Sequence, residues 1–462
     1  MSIETIVPGV YIEEDATPAL SVSQGATAVP LFVGNFDPIE TGNQGKLLRI
    51  SGWLEFTQLF TVNSTGYTAS ATITLNTDTD DEEDDDSGTT TPGTGGTTGT
   101  AADARAAAPT YDISDANAET NVTTLALQLY FQNGGNPCYV YPLADTTDPQ
   151  VLSAVTAAME EADDITLLVV LASDDTYREA VYGAVANALG QNKGYFLIAD
   201  STDGSAPVSA NGSSHVGVYY PPLTVAPGKL NEREVVITDN SDEDNPVTTT
   251  LAELRQSNSA AATQVVSALS TSIPTSLTIP PSAIMAGIFC KTDRERGVWK
   301  APANVIVNGV SDVSVRVSDD QQGTMNEAGV NVIRYFSDRG VVVWGARTQQ
   351  NDDNWRYIPV RRLFDTAERD IKKAMRPVVF EPNSAPTWSR VWSAIDTYLY
   401  GIWQRGGLAG NSAEEAYFVR IGKGVTMTEE DINQGKMIVQ VGMAAVRPAE
   451  FIILQFTQNM SQ

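Results

Sequence analysis

One histidine, two cysteines and several short carboxylate runs are the side chains in this 462-residue chain whose types could do chemistry. A Ser–His–Asp relay needs a histidine base, and His215, in Ser213-Ser214-His215-Val216-Gly217, is the single candidate. It leads straight into an apolar run, which favours a structural or merely exposed imidazole over a catalytic one. Cys138 and Cys290 stand far apart, so with one His they cannot supply the closely spaced ligands that zinc takes. They make no disulfide framework either, and the chain reads as one folded in a reducing cytoplasm. Asp163-Asp164 and Asp174-Asp175 border strand-like runs, where a glycosidase would place paired carboxylates; an acidic protein also has such pairs at solvated loop ends, the blander reading. Asp78, Asp80, Asp81, Glu82, Glu83, Asp84, Asp85 and Asp86 are crowded enough for calcium, but lack the spaced ligands, glycine and closing glutamate of a calcium loop. With the Thr, Gly and Ala that follow, residues 77–108 have little to bury and are expected to form a solvated insertion. No G-x-G-x-x-G follows a strand, and no Walker lysine follows a glycine loop. The expectation is therefore no catalytic residue, no cofactor and no metal.

The elements that would position such residues are those of an α/β protein. Residues 26–34 read as a strand, and Trp53, Phe56, Leu59 and Phe60 recur at helical spacing. Thr123 to Phe131 fits a helix ended by Asn133-Gly134-Gly135-Asn136, followed by a strand at Cys138 to Tyr141. Ile165 to Leu171 and Gly194 to Ala199 are near-continuous apolar runs, as in strands covered on both faces, and Tyr177 to Leu189 between them is helical. Strand, helix and strand in so few residues predict a βαβ crossover in a parallel sheet. Val216 to Tyr220 is a further strand, and 231–250 reads as a polar hairpin around Asp239-Asn240. Two helices follow. Arg362 to Arg376 places Leu363, Ala367, Ile371 and Ala374 on one stripe, with a Glu368–Lys372 pair outside. The second, capped by Thr387, carries Trp388, Trp392, Ile395, Leu399 and Trp403. Residues 448–456 end the pattern as an apolar strand.

Length allows two to four domains at roughly 100–200 residues each. The net charge is −28, which argues against nucleic acid as a partner. Residues 1–290 hold 8 Lys and Arg against 37 Asp and Glu, whereas 291–462 hold 21 against 20 and six of the seven Trp. An acidic front keeps a surface soluble, and a balanced, Trp- and Arg-rich back has the composition of a surface that meets partners. No run is long and apolar enough to span a membrane, and the first residues lack a signal-peptide pattern.

Several stretches, taken in order, resemble one family. They are Pro8-Gly9-Val10-Tyr11-Ile12-Glu13-Glu14; Phe131-Gln132-Asn133-Gly134-Gly135 with Cys138-Tyr139-Val140; and Thr292-Asp293-Arg294-Glu295-Arg296-Gly297-Val298-Trp299-Lys300-Ala301-Pro302-Ala303-Asn304. Gly340 to Thr348, Arg361-Arg362, Phe380-Glu381-Pro382-Asn383, Gly406 to Gly410 and Pro448-Ala449-Glu450-Phe451 continue the match. The pattern is similar to that of contractile tail sheath proteins of phages, tailocins and related injection particles. The departures are the insertion at 77–108 and the polar segment near 231–250.

The resemblance implies a multi-domain α/β fold. It gives an N-terminal arm (1–22), an outer β-rich domain (23–120) bearing the insertion, a central subtilisin-like α/β domain (121–345), an α+β inner, tube-facing domain (346–446) and a C-terminal arm (447–462). It implies a structural subunit that stacks in hexameric rings around an inner tube and contracts irreversibly. Implied partners are other copies, the inner tube protein, and baseplate and tail-terminator proteins, with no nucleic acid and no direct membrane insertion; assembly takes place in the bacterial cytoplasm. A hydrolase-like enzyme or an adhesin on the same scaffold is the alternative. The arms, with Val10, Tyr11 and Ile12 at one end and Ile452, Leu454 and Phe456 at the other, are expected to add strands to a neighbour's sheet edge. The more polar helix is expected to show Glu368, Arg369, Asp370, Lys372 and Lys373 to solvent or a partner, and of these Glu368, Arg369, Lys372 and Lys373 are the expected tube-facing residues, since exposed ionic contacts release easily.

Overall fold

Leu31, Phe32 and Val33 present apolar side chains to both sides of an extended chain, so a strand there must be covered on both faces. In the computed structural model, whose described residues are 20–451 apart from 64, 76–110, 144–147, 173, 190–192 and 243–244, Pro30–Gly34 lies inside a nine-stranded sheet. It pairs in parallel with Cys138–Pro142 on one side and Leu167–Leu171 on the other. Parallel pairing continues through Phe196–Asp200, Val216–Tyr220 and Val330–Phe336. The margins are antiparallel: Leu48–Ile50 at one end, Gly340–Val343 and then Val305–Ile306 at the other.

The helices Pro149–Glu161 and Asp175–Leu189 cover one face, burying Val155, Met159, Val181 and Val185 against Leu168, Val170, Leu197 and Val218. Asp175–Leu189 is the expected crossover between parallel neighbours. The opposite face receives Ser282–Arg296, whose residues 282–290 are all buried and whose Phe289 meets Phe196 and Tyr219. The aromatic spacing at 53–60 forms the helix Trp53–Leu59, with Phe56 and Phe60 stacked at 4.7 Å.

The chain divides into two compact units, and the division departs from the expected boundaries. Of the described residues, one unit takes those within 1–61, 126–225 and 278–462; the other takes those within 62–125 and 226–277. An outer domain of 23–120 is thus not one body, because Pro30–Gly34 and Leu48–Ile50 are strands of the large sheet. Residues 226–277, expected in the central domain, belong with 62–125. The reason is hydrogen bonding: the expected hairpin forms, Val236–Asp239 against Val247–Thr250, and its first strand pairs in parallel with Tyr67–Leu75. Tyr67, Ala69, Ala71 and Ile73 alternate inward there onto Leu251, Leu254, Val265 and Leu269. A capping box of Thr250 and Glu253 starts the helix Leu251–Ser257.

In the first unit the chain continues through the helices Ile358–Met375 and Ala385–Gln404 to a two-stranded antiparallel sheet, Tyr417–Ile421 with Val439–Met443. Leu363, Ala367, Val391, Ile395, Leu399 and Tyr417 form its core.

The place of Pro30–Gly34 has a measurable cost attached. Phe32 is 0% exposed and meets Tyr130 edge-on at 4.8 Å. Phe32→Ala should lower stability by about 3–5 kcal/mol, read as a fall in the denaturation midpoint. A near-neutral result would contradict a central position for this strand.

Candidate interaction surfaces

The Ile358–Met375 helix carries more buried charge than its polar composition predicts. Arg361, Arg362, Asp365 and Asp370 are all buried, and each has a partner, although Asp365 is met at one oxygen only. Arg362 reaches both carboxylate oxygens of Asp293, at 3.0 and 2.6 Å, and also donates to the Thr27 carbonyl at 3.0 Å. Asp370 accepts from the Gly25 amide at 3.1 Å and from the Tyr398 hydroxyl at 2.8 Å. A Cβ on Gly25 would lie 2.7 Å from the Asp370 carboxylate, so only glycine admits that approach. Arg369 donates to the Ala26 carbonyl at 2.8 Å. Three side chains of one helix thus hold residues 25–27, the root of the N-terminal segment. Leu20 and Val22, just before, pack on the same core.

This corrects part of the expected tube-facing set. Asp370 is not solvent-facing. Arg369 is committed to its own chain, and burial, the largest influence, pushes its guanidinium pKa down despite Asp370 and Asp365 nearby. Glu368 is exposed but accepts from Arg361 at 3.3 Å instead of pairing with Lys372, because Arg361 reaches it two turns away. Lys372 and Lys373 are exposed and, among the described residues, make no ion pair. With Lys193, Arg369 and Arg376 they rim an open cavity of about 250 Å³.

On the next helix the expected Trp stripe is displaced by about a third of a turn. The buried face is Val391, Ala394, Ile395, Tyr398, Leu399 and Ile402. The tryptophans flank it, each indole N–H spent on an oxygen: Trp388 on Asn383, Trp392 on Val419 and Trp403 on Gly410. The helix starts at Ala385 with Pro386 in its first turn, so Thr387 lies inside it and Ser384 is the N-cap.

The two-stranded sheet presents two strand edges unpaired among the described residues. Tyr417, Val419 and Ile421 face the core, while Phe418 and Arg420 face out. Phe418 lies over Gly442 across the pair, and Arg420 sits 4.7 Å above its ring. Open edges of this kind accept a further strand. Val10, Tyr11, Ile12, Ile452, Leu454 and Phe456 lie outside the described residues, as do residues 77–108. Of the strand expected at 448–456, the described part, 448–451, is not a strand.

What those last residues contain is a clamp that sequence reasoning missed. Arg347 donates to Glu450 through Nε at 3.0 and 3.2 Å and through Nη2 at 2.6 Å; Asn326 adds 2.9 Å and Tyr357 3.2 Å. Burial alone would raise the Glu450 carboxyl, but the Arg347, Asn326 and Tyr357 contacts outweigh it and hold the pKa below the ordinary value. The root of the C-terminal segment is thereby tied to three points of the large unit.

His215 is a structural tie of the same kind. Its Nε2 lies 3.3 Å from Asp365, which Arg361 already holds at 2.8 Å, while Ser214 Oγ is 3.4 Å from Nδ1. Asp200, at the end of its strand, is fully buried and accepts from the Ser282 amide at 2.8 Å and hydroxyl at 2.6 Å. Burial pushes its pKa up to about 6, against the opposing pull of Arg178 and Ser282.

These features define a mixed α/β protein whose two chain ends leave from anchored roots beside an open-edged sheet. Residues 140–349 match the phage tail sheath protein central domain, and residues 350–459 the phage tail sheath C-terminal domain. The chain is 50% identical to a subunit of the anti-feeding prophage helical sheath in its contracted state, over 98% of this chain and 100% of that one, with a TM-score of 0.72. It is 34% identical to a chain of the sheath complex of an extracellular contractile injection system, PVC, also contracted, over 99% of each chain, with a TM-score of 0.66. The tail sheath protein of Vibrio phage KVP40 is 29% identical over 188 residues, 38% of this chain and 26% of that protein. Curated relatives of this kind are matched over 20–26% of their own length. The chain belongs to the phage tail sheath protein family.

Two titrations follow. Glu450→Gln should cost about 2 kcal/mol at pH 7, the size of a charge-assisted hydrogen bond lost. Because the folded pKa lies below the ordinary one, that difference is present above the ordinary value and disappears as pH falls through the lowered one. Asp200 has the opposite sign. Its folded form binds a proton more tightly than the unfolded chain, so its contribution improves as pH falls from about 6 towards the ordinary carboxylate value. Asp200→Asn should therefore compare best with the parent at pH 7 and lose ground at pH 5, in melts of both proteins; the reverse trend would contradict a raised Asp200.

Proposed function

We propose that this chain is the sheath subunit of a contractile injection particle. Copies stack as hexameric rings around an inner tube, engage a baseplate at one end and a terminator at the other, and contract irreversibly to drive the tube through a target membrane. The observation that carries this reading is the likeness to the contracted anti-feeding prophage sheath at 50% identity over 98% of the chain. A match to a chain of the anti-feeding prophage baseplate structure, at 50% identity over 99% of the chain, supports the baseplate contact. In this reading the large parallel sheet is a subtilisin-like scaffold without catalytic use, and the particle is put together in the bacterial cytoplasm.

The two arms are the links between copies. The N-terminal arm, through Val10, Tyr11 and Ile12, and the C-terminal arm, through Ile452, Leu454 and Phe456, add strands to the open edges of the 417–421 and 439–443 pair in neighbouring copies. Backbone hydrogen bonds of roughly 0.5–1.5 kcal/mol net each, aligned over several residues, give a link that survives large rotations of the rings. Lys372 and Lys373 are the residues of the Ile358–Met375 helix free to meet the tube; Glu368 is turned to Arg361 and Arg369 to Ala26.

Removal of residues 1–14 should leave soluble monomers with unchanged melting; normal contractile tubes from the truncated chain, seen by negative-stain microscopy, would refute the arm assignment. Lys372→Glu with Lys373→Glu should cut co-assembly with the tube protein by roughly tenfold at low salt without moving the melting temperature. Unchanged co-assembly would move the tube contact elsewhere.

A further inference from the structure

Lys291, Arg296, Lys300 and Arg339 surround one open cavity of about 570 Å³, with Glu295 as its single acid. Acids outnumber bases 57 to 29 in this chain, so cations are expected to find carboxylates. Several do: Arg316 holds Asp312, Arg347 holds Glu450 and Arg362 holds Asp293. Among the described residues none of these four makes an ion pair; Arg339 donates instead to the Asn304 side chain at 2.7 Å. The C-terminal end of the Ser282–Arg296 helix accounts for a cation at Arg296, but Lys300 and Arg339 lie beyond that helix.

The surroundings are built, not loose. The Lys291 stem lies against Gly134, where an added Cβ would stand 2.8 Å from the Lys291 Cβ. Asn304 holds a left-handed backbone, φ 60°, which brings its side chain to Arg339. The next residues, Val305–Ile306, are the last strand of the nine-stranded sheet, and Ile306 is 47% exposed. A pocket of unpaired cations therefore opens beside a strand edge.

We propose that this pocket and edge receive an acidic segment from the second unit of another copy of the chain. That unit, residues 62–125 and 226–277, holds 19 Asp and Glu against 4 Lys and Arg, a net charge of −15. It is the concentrated complement of the cluster, and every added copy brings one. The assignment rests on the reading of the chain as a polymerising subunit. Exposed pairs of this kind fix register and speed encounter more than they add affinity, and they weaken with salt. The contact would thus set which neighbour is accepted and in what orientation.

Polymer grown from equal parts of unlabelled and heavy-isotope-labelled chain, treated with a carbodiimide, tests this. The reagent condenses a lysine amine with a touching carboxylate, losing water to form an amide. Linked peptides should join Lys291 or Lys300 to an Asp or Glu within 62–125 or 226–277, and should carry one labelled and one unlabelled half. Arg296→Glu, Lys300→Glu and Arg339→Glu together, all at exposed positions, should leave melting unchanged, slow polymer growth roughly tenfold at low salt and flatten its salt dependence. Links confined to one copy, links to acids outside the second unit, or growth and salt response like the parent would overturn the assignment while leaving the sheath reading standing. Failure of the unaltered chain to polymerise would overturn that reading and this assignment with it.

Discussion

Residues 25–27 hang from one helix, and much of the structure follows from that. Arg362, Arg369 and Asp370 take hold of three successive residues, while Arg362 also holds both oxygens of Asp293. Burying these charges is expensive, and removing one partner leaves an uncompensated charge that costs roughly 3–5 kcal/mol. The contacts are therefore made together or not at all. They fix where the first strand, Pro30–Gly34, enters the middle of the parallel sheet, and they fix where the N-terminal segment leaves it. A strand from the front of the chain and a helix from its back become one piece.

The opposite end is handled alike. Glu450 is gripped by Arg347, Asn326 and Tyr357 immediately before the C-terminal segment. Under the proposed linkage through the arms, such roots would carry load into the sheet instead of letting the chain peel away. His215 and Asp365 add a further tie between the Val216–Tyr220 strand and the same helix. The single histidine thus joins two elements.

The buried parallel strands were legible because fully covered strands leave unbroken apolar runs, as at 167–171 and 196–200. The crossover helix and the 236–250 hairpin were legible from periodicity and turn residues. Domain membership was not, because it depends on pairing between distant strands: nothing local in Val236–Asp239 says that it lies beside Tyr67–Leu75. The alternation of Tyr67, Ala69, Ala71 and Ile73 and the Thr250–Glu253 capping box were signals that could have exposed the second unit. At the surfaces, helical periodicity marked Asp370 and Arg369 as outward, since a period cannot register a backbone segment arriving from residue 25. The Glu450 clamp had only a weak signal, a lone acid in an otherwise apolar stretch.

The central claim is that the chain polymerises through its ends around a tube, and a helical reconstruction of the polymer formed with its tube protein tests it most directly. The account predicts density for residues 1–19 and 452–462 running into neighbouring copies and completing the 417–421 and 439–443 pair as a larger sheet. Ends folded back onto their own chain, with that pair left two-stranded in the polymer, would contradict it.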